Sequence, residues 1–327
     1  MMRVVYLLVF GLLYLMSLLP LRLLYVVSDG FYCIVYGLVG YRRRLVRRHL
    51  AECFPEKNEK ERREIERGFY HWFCDYFVET IKLFSMSGRQ MRRRMVFEGH
   101  EAIDADFAEG RSVGVYLGHY CNWEWITSLP LWVSQEGKCT QIYHPLENIW
   151  FDRLFLRLRE RFGATCIPMA ETLRRVVRYR QEKQPIVLGY ISDQIPFWNN
   201  IHHWLDFMHH DTPVLTGAER LMRQMGESVY YADISRPRRG YYVCRFVKMA
   251  DDASTTVEKD TTGEWPLTDK YFSMLENSIR RQPECYLWTH NRWKRSHEEY
   301  DIRLDKETGR VDLGDLEEIK RRKGLIR

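Results

Sequence analysis

The stretch VYLGHYCNWEW, Val115 to Trp125, brings a histidine, a cysteine, an asparagine and a glutamate together behind a short apolar run. His119 and Glu124 are the residue types of a hydroxyl-activating pair. A carboxylate on one ring nitrogen fixes the imidazole tautomer and raises its basicity, so the other nitrogen can take a proton. On one continuous helix a separation of five residues would leave the two side chains about 140° out of line. They can meet only if His119 stays in a turn and Glu124 enters the helix that follows. A histidine with a purely structural hydrogen bond is the plainer alternative. Cys121 is a rival nucleophile, but cysteine hydrolases place their cysteine and histidine apart in sequence.

Elsewhere, HHWLDFMHH (202–210) suggests metal binding. Adjacent histidines point in different directions, however, and no His-Glu-x-x-His or cysteine partner accompanies them. A loop or interfacial surface is expected there, with no metal. Eight cysteines without a Cys-x-x-Cys pair read as mostly buried free thiols facing a reducing cytoplasm. Net charge is +6, concentrated in YRRRLVRRH (41–49), RQMRRR (89–94) and RPRRG (236–240). Such clusters suit phosphates. No nucleic-acid-binding motif accompanies them, so lipid head groups, a phosphorylated glycolipid or an acidic carrier protein fit better than nucleic acid.

The elements that must position these residues follow from patterning. The chain has 327 residues, 45% of them hydrophobic and 29% charged, enough for a large core and too apolar for a disordered chain. Short apolar runs alternate with helical patterns. Strands are expected at 112–118, 139–144, in TCIP, at 185–192, in SVYYADIS and in GYYVCRFVKM. Helices are expected at CNWEWITSLPLWV, NIWFDRLFLRLRERFG, AETLRRVVRYRQEK, TGAERLMRQMG and TDKYFSMLENSIRRQ. Phe69, Trp72, Phe73, Tyr76, Phe77 and Ile81 mark one face of an earlier helix. This alternation argues for an α/β fold with a mixed, largely parallel sheet flanked by helices, the last two strands pairing antiparallel. His119 would then lie at the carboxyl end of a strand, where ligands gather in open α/β sheets.

At the N-terminus, residues 4–19 carry no charge, and 23–41 carry only Asp29 before an arginine cluster. The first run is just short of a comfortable span of about 20 residues. No signal-peptide cleavage site follows. Membrane attachment is expected, by one tilted anchor or by a short span and an interfacial helix, with Arg42–Arg48 on the cytoplasmic side. A buried helical hairpin in a soluble protein is the alternative. The organisation expected is an anchor at 1–41, a main domain at 42–300 and a charged tail at 301–327, with a surface loop at 255–262.

Taken in order, LPLRLLYVVSDGFYCIVYGLVGYRRRLVRRHLAECFPEK, LGHYCNWEW, YHPLENIWFDRLFLRLRERFG, GYISDQ, TPVLTGAERLMRQMG and YLWTHNRWK resemble the late acyltransferases of lipid A biosynthesis, within the lysophospholipid acyltransferase superfamily. The resemblance runs from the N-terminus to about Lys294. It implies acyl transfer from an acyl carrier protein thioester to a hydroxyl of a phosphorylated glycolipid, a lipid A precursor, at the bacterial inner membrane and without a cofactor. It also implies roles. His119 would be the general base and Glu124 its support, Arg159 and less directly Arg161 would stabilise negative charge or hold a phosphate, and Asp193 and Gln194 would shape the site. Arg292 and Lys294 belong to the terminal motif, with a solvated basic face as their other reading. LDFMHHDTP stands where family members often carry Phe-Phe-Gly, and YHP replaces YRP, so chain length and acceptor stay open. A lyso-phospholipid or lyso-aminolipid acceptor, and a non-catalytic lipid-binding protein, are the alternatives.

Overall fold

A computed structural model describes residues 2–255 and 264–326. In chain order, four helices come first: α1 (Met2–Leu18), α2 (Leu21–Tyr32), α3 (Arg43–Cys53) and α4 (Glu59–Lys82). α5 (Gly88–Arg94), β1 (Met95–Glu98), α6 (His100–Ala108) and β2 (Val113–Leu117) lead into the sheet. β3 (Lys138–Tyr143), α7 (Ile149–Arg159), β4 (Thr165–Pro168), α8 (Thr172–Gln181) and β5 (Ile186–Ile191) build its parallel half. The hairpin β6 (His203–Phe207) and β7 (His210–Val214) follows, then α9 (Gly217–Met225), β8 (Ser228–Arg238), β9 (Tyr241–Ala250) and α10 (Pro266–Arg281). Two short helices, α11 (His297–Arg303) and α12 (Leu316–Arg322), come last.

Seven strands form one sheet in the order β1-β9-β8-β2-β5-β3-β4, parallel except for the β8–β9 hairpin. The expected α/β class and the antiparallel last pair are what the chain adopts. β2 is buried at every position because it lies between β8 and β5 with helices on both faces. Several elements depart from expectation. The segment expected as the helix CNWEWITSLPLWV is a short 3-10 helix, Trp125–Leu131, containing Pro130. The Thr127 and Ser128 hydroxyls donate to the carbonyls of Glu124 and Trp125, and proline has no N–H to extend an α-helix. HHWLDFMHH is a two-stranded hairpin, not a loop. Met208 and His209 take positive φ at its tip (55° and 65°), a turn that the sequence does not mark with the usual glycine or asparagine. β1 and α6 are too short for their periodicity to stand out. The loop expected at 255–262 falls almost entirely outside the described residues.

Pro20 separates α1 from α2, and α2 runs on through a π-helical stretch, Cys33–Val39. Leu21–Val39 is the one helix among the described residues long and apolar enough to cross a membrane, and only 11% of its apolar window is buried. One side docks on α4: Tyr25 donates to Glu79 (2.8 Å) and Ser28 to Asp75 (2.7 Å). The other leaves Leu23, Val26, Phe31, Ile34, Leu38 and Val39 exposed. The alternative of a hairpin sealed inside a soluble core therefore fails. An apolar surface this continuous marks a contact with lipid or another apolar partner.

Candidate active site

β2 delivers the histidine. It leaves the sheet through Gly118, where a Cβ would come within 2.8 Å of the Leu275 side chain on α10, so the strand end packs closely against that helix. The parallel register pairs Leu117 with Ile191 of β5, and two residues beyond each partner stand His119 and Asp193. The Asp193 carboxylate binds His119 twice: Oδ1 lies 2.7 Å from Nδ1, and Oδ2 accepts the backbone N–H at 3.0 Å. Burial by itself would raise the Asp193 carboxyl. The His119 charge, its two donors and the more distant Arg292 outweigh that and hold it below the usual carboxylate range. With a carboxylate on Nδ1, that nitrogen carries the proton and Nε2 keeps its lone pair. The Gln194 amide lies 3.1 Å from Nε2, on an exposed side chain.

Glu124 is not on the imidazole. Its buried carboxylate accepts from Arg159 through Nε (2.9 Å) and Nη2 (2.6 Å), and the Tyr76 hydroxyl reaches it at 3.4 Å. The expected His119–Glu124 contact is thus replaced by two pairs, His119–Asp193 and Glu124–Arg159. The loop between them is pinned by Asn122, which donates to buried Glu79 (2.7 Å) and accepts from the Trp125 N–H (3.1 Å). Rings connect the pairs. Trp123 meets the His119 ring edge-on (centroids 5.1 Å) and stacks on Tyr76 (4.3 Å). Burial disfavours the Arg159 charge, but the hydrogen bonds and charge of Glu124 outweigh it and keep the guanidinium more firmly protonated than usual.

Arg161 stands apart from this group. Its guanidinium donates to the carbonyls of Phe84 and Met86, tying the chain after α7 to the segment after α4. Arg292 is buried rather than solvated and donates to the Pro213 carbonyl at 2.8 Å; Lys294 is exposed. The terminal motif also closes the other flank of the histidine, where the Leu287 N–H donates to the His119 carbonyl and the Cys121 N–H to that of Cys285. Cys121 is fully buried with a positive φ, and burial together with Cys285 pushes its thiol well up, so no thiolate forms there. The hairpin histidines are dispersed: His203 pairs with Asp269, and His210 with Glu52 and the Met208 carbonyl. Among the described residues no three His, Cys, Asp or Glu side chains are grouped to hold a metal.

An apolar cleft opens beside the pairs. Val115 and Leu117 of β2 and Val187, Gly189 and Ile191 of β5 share one face of the sheet, and Glu124 and Arg159 stand in the same wall. Trp123, like the other tryptophan of VYLGHYCNWEW, is expected from the sequence to frame the site; Tyr76 is the residue that sequence reasoning leaves out of it. Tyr76 lies on the apolar stripe of α4 and reads there as core; only its hydroxyl, turned to Glu124, distinguishes it.

Asp193→Asn provides a test with two readouts. Turnover should fall by roughly 10²-fold, because the amide no longer stabilises the imidazolium or enforces one tautomer. Stability should respond to acid as well. A carboxyl depressed in the folded state contributes stability that is fully present above its unfolded value, about 3.9. That stability is lost as pH falls through the lower folded value. Thermal melts of the variant should therefore decline less steeply than wild type below about pH 4. Parallel melting curves would leave Asp193 without the ion pair assigned to it.

A family model described as bacterial lipid A biosynthesis acyltransferase matches residues 1–295. Among individually curated proteins, none matches the chain. The matched span contains both side-chain pairs, the cleft and the apolar N-terminal helices.

Proposed function

The chain belongs to the bacterial lipid A biosynthesis acyltransferase family, and we propose that it moves a fatty acyl group from an acyl carrier protein thioester to a hydroxyl of a lipid A precursor. The observation that carries this reading is the His119 ring. Its Nδ1 is tied to a buried carboxylate and its Nε2 keeps a lone pair, at a strand end beside an apolar cleft.

In the proposed step, Nε2 takes the proton of the acceptor hydroxyl while Asp193 stabilises the imidazolium. The hydroxyl oxygen attacks the thioester carbonyl carbon and a C–O bond forms. The negative oxygen of the tetrahedral intermediate meets the Arg159 N–H groups that Glu124 leaves free. The C–S bond then breaks, and the departing sulfur takes the proton from the imidazolium. One ester and one thiol result, and the balance closes without a cofactor. Glu124 acts through Arg159, as the group that holds it in place. The acyl chain occupies the cleft under β2 and β5, where Gly189 leaves room between Leu117 and Thr140. We place the apolar helices in the inner membrane, with the sheet domain on the cytoplasmic side. There Arg42–Arg48 follows the positive-inside rule, and the net positive charge of the chain favours the approach of an acidic carrier.

Incubating the purified chain with an acyl carrier protein thioester and a tetra-acylated lipid A precursor, and reading product masses, tests the proposal. The expected product gains one acyl group. Acylation of lyso-phospholipids alone would move the reading to those acceptors, and free fatty acid released without any acceptor would make the chain a hydrolase.

A further inference from the structure

Away from the histidine, a cavity of about 460 Å³ lies where the two apolar N-terminal helices meet. Pro20 and Arg22 line it from the bend, Lys82 from the end of α4, Arg93 and Arg94 from α5, and Tyr241 from the start of β9. Four cations therefore share one space, and none of them is matched by a carboxylate among the described residues. Lys82 is buried and gives its three donors to neutral oxygens: the Ser17 and Leu19 carbonyls at the end of α1 (2.6 and 2.9 Å) and the Ser85 hydroxyl (3.2 Å). Arg94 donates to the Gly240 carbonyl (3.0 Å) and lies over the Tyr241 ring, which Arg238 also covers at 3.8 Å. Arg22 and Arg93 are exposed. Elsewhere this chain pairs its arginines freely, as Arg159, Arg239 and Arg281 do. An unneutralised basic cavity in such a chain has the composition of an anion site.

The helices on either side of the lining bend identify the kind of anion. Leu15, Leu18, Leu19 and Leu23, immediately before and after the Pro20 bend, are all exposed. Pro20, Leu21 and Arg22 of the same bend line the cavity, so a ligand that fills it and reaches along the flanking helices carries a phosphate at one end and apolar chains at the other. We infer that the cavity between Arg22, Lys82, Arg93 and Arg94 binds the phosphate head group of an anionic membrane phospholipid, separately from the reacting lipids. A carrier protein would offer carboxylates but has no reason to meet four exposed leucines. The inference does not depend on the transfer reaction, since its readout is lipid binding and not turnover.

The test uses the full-length chain in neutral detergent, titrated with phosphatidylglycerol, with phosphatidylcholine and, at constant ionic strength, with inorganic phosphate. Retained lipid is counted by native mass spectrometry. Phosphatidylglycerol should bind at least about 10-fold more tightly than phosphatidylcholine, and Arg22→Gln/Arg93→Gln should weaken it by roughly 5-fold per charge removed. Arg174→Gln/Arg178→Gln on α8, beside the opposite edge of the sheet, removes the same charge and should leave binding within about 2-fold. Equal losses in the two double variants would reduce the effect to bulk charge and overturn the site. Inorganic phosphate binding as tightly as the lipid would reassign the cavity to a free anion. Loss of carrier-protein affinity in Arg22→Gln/Arg93→Gln with lipid binding intact would reassign it to protein docking.

Discussion

His119→Ala should lower kcat by roughly 10³-fold, within the range that a positioned general base supplies. The ring carries a nitrogen with a lone pair, and its neighbours are poorer bases: burial lowers the nearby His290 imidazole to about 4. Gln194 and Trp123 do not take protons at neutral pH, and Asp193 is held below the usual carboxylate range on the far side of the imidazole. Alanine also strips Asp193 of its ring partner and leaves it the backbone N–H, so part of any loss could come from stability. His119→Gln separates the two effects. A glutamine amide can still donate toward Asp193 but cannot serve as a base, so both variants should be inactive while the glutamine form melts closer to wild type. Product masses read transfer, and circular dichroism reads the fold. Turnover within tenfold of wild type in a folded His119→Ala chain would remove the base from the mechanism.

Much of the scaffold behind that prediction was legible in the sequence. The strands at 113–117, 138–143, 165–168 and 186–191 and the helices between them follow from apolar runs alternating with amphipathic ones. Such patterns report local burial. The partner of His119 was not legible in the same way. Glu124 is its neighbour in sequence, whereas Asp193 reaches it only because β2 and β5 pair in parallel with Leu117 against Ile191. Register between strands more than seventy residues apart leaves no local trace. Asp193 was visible as a residue that shapes the site, but not as the group on Nδ1. The basic clusters were visible too. That Arg93 and Arg94 share a cavity with Arg22 and Lys82 depends on how α5 lies against the end of α4, which one-dimensional charge counting does not contain.

The Glu124–Arg159 pair allows the sharpest separation of structure from chemistry. Glu124 is 3% exposed and Arg159 26%, and two hydrogen bonds join them. Removing one partner leaves a buried charge without compensation, so Arg159→Met should cost about 3 kcal/mol of stability. Removing both charges leaves no orphan, and Glu124→Leu/Arg159→Met should recover most of that loss, since the cleft wall beside them is already apolar. Turnover should behave differently. If Arg159 meets the negative oxygen of the intermediate, the double variant stays about 10²-fold slower than wild type however stable it becomes. Thermal melts and initial rates on the three variants complete the cycle with Glu124→Leu. In that variant an unpaired Arg159 remains in the wall, so stability falls, and the guanidinium, no longer held by a carboxylate, loses its fixed orientation. Rates that return together with stability in the double variant would make the pair a structural brace, and the oxyanion would then need another donor.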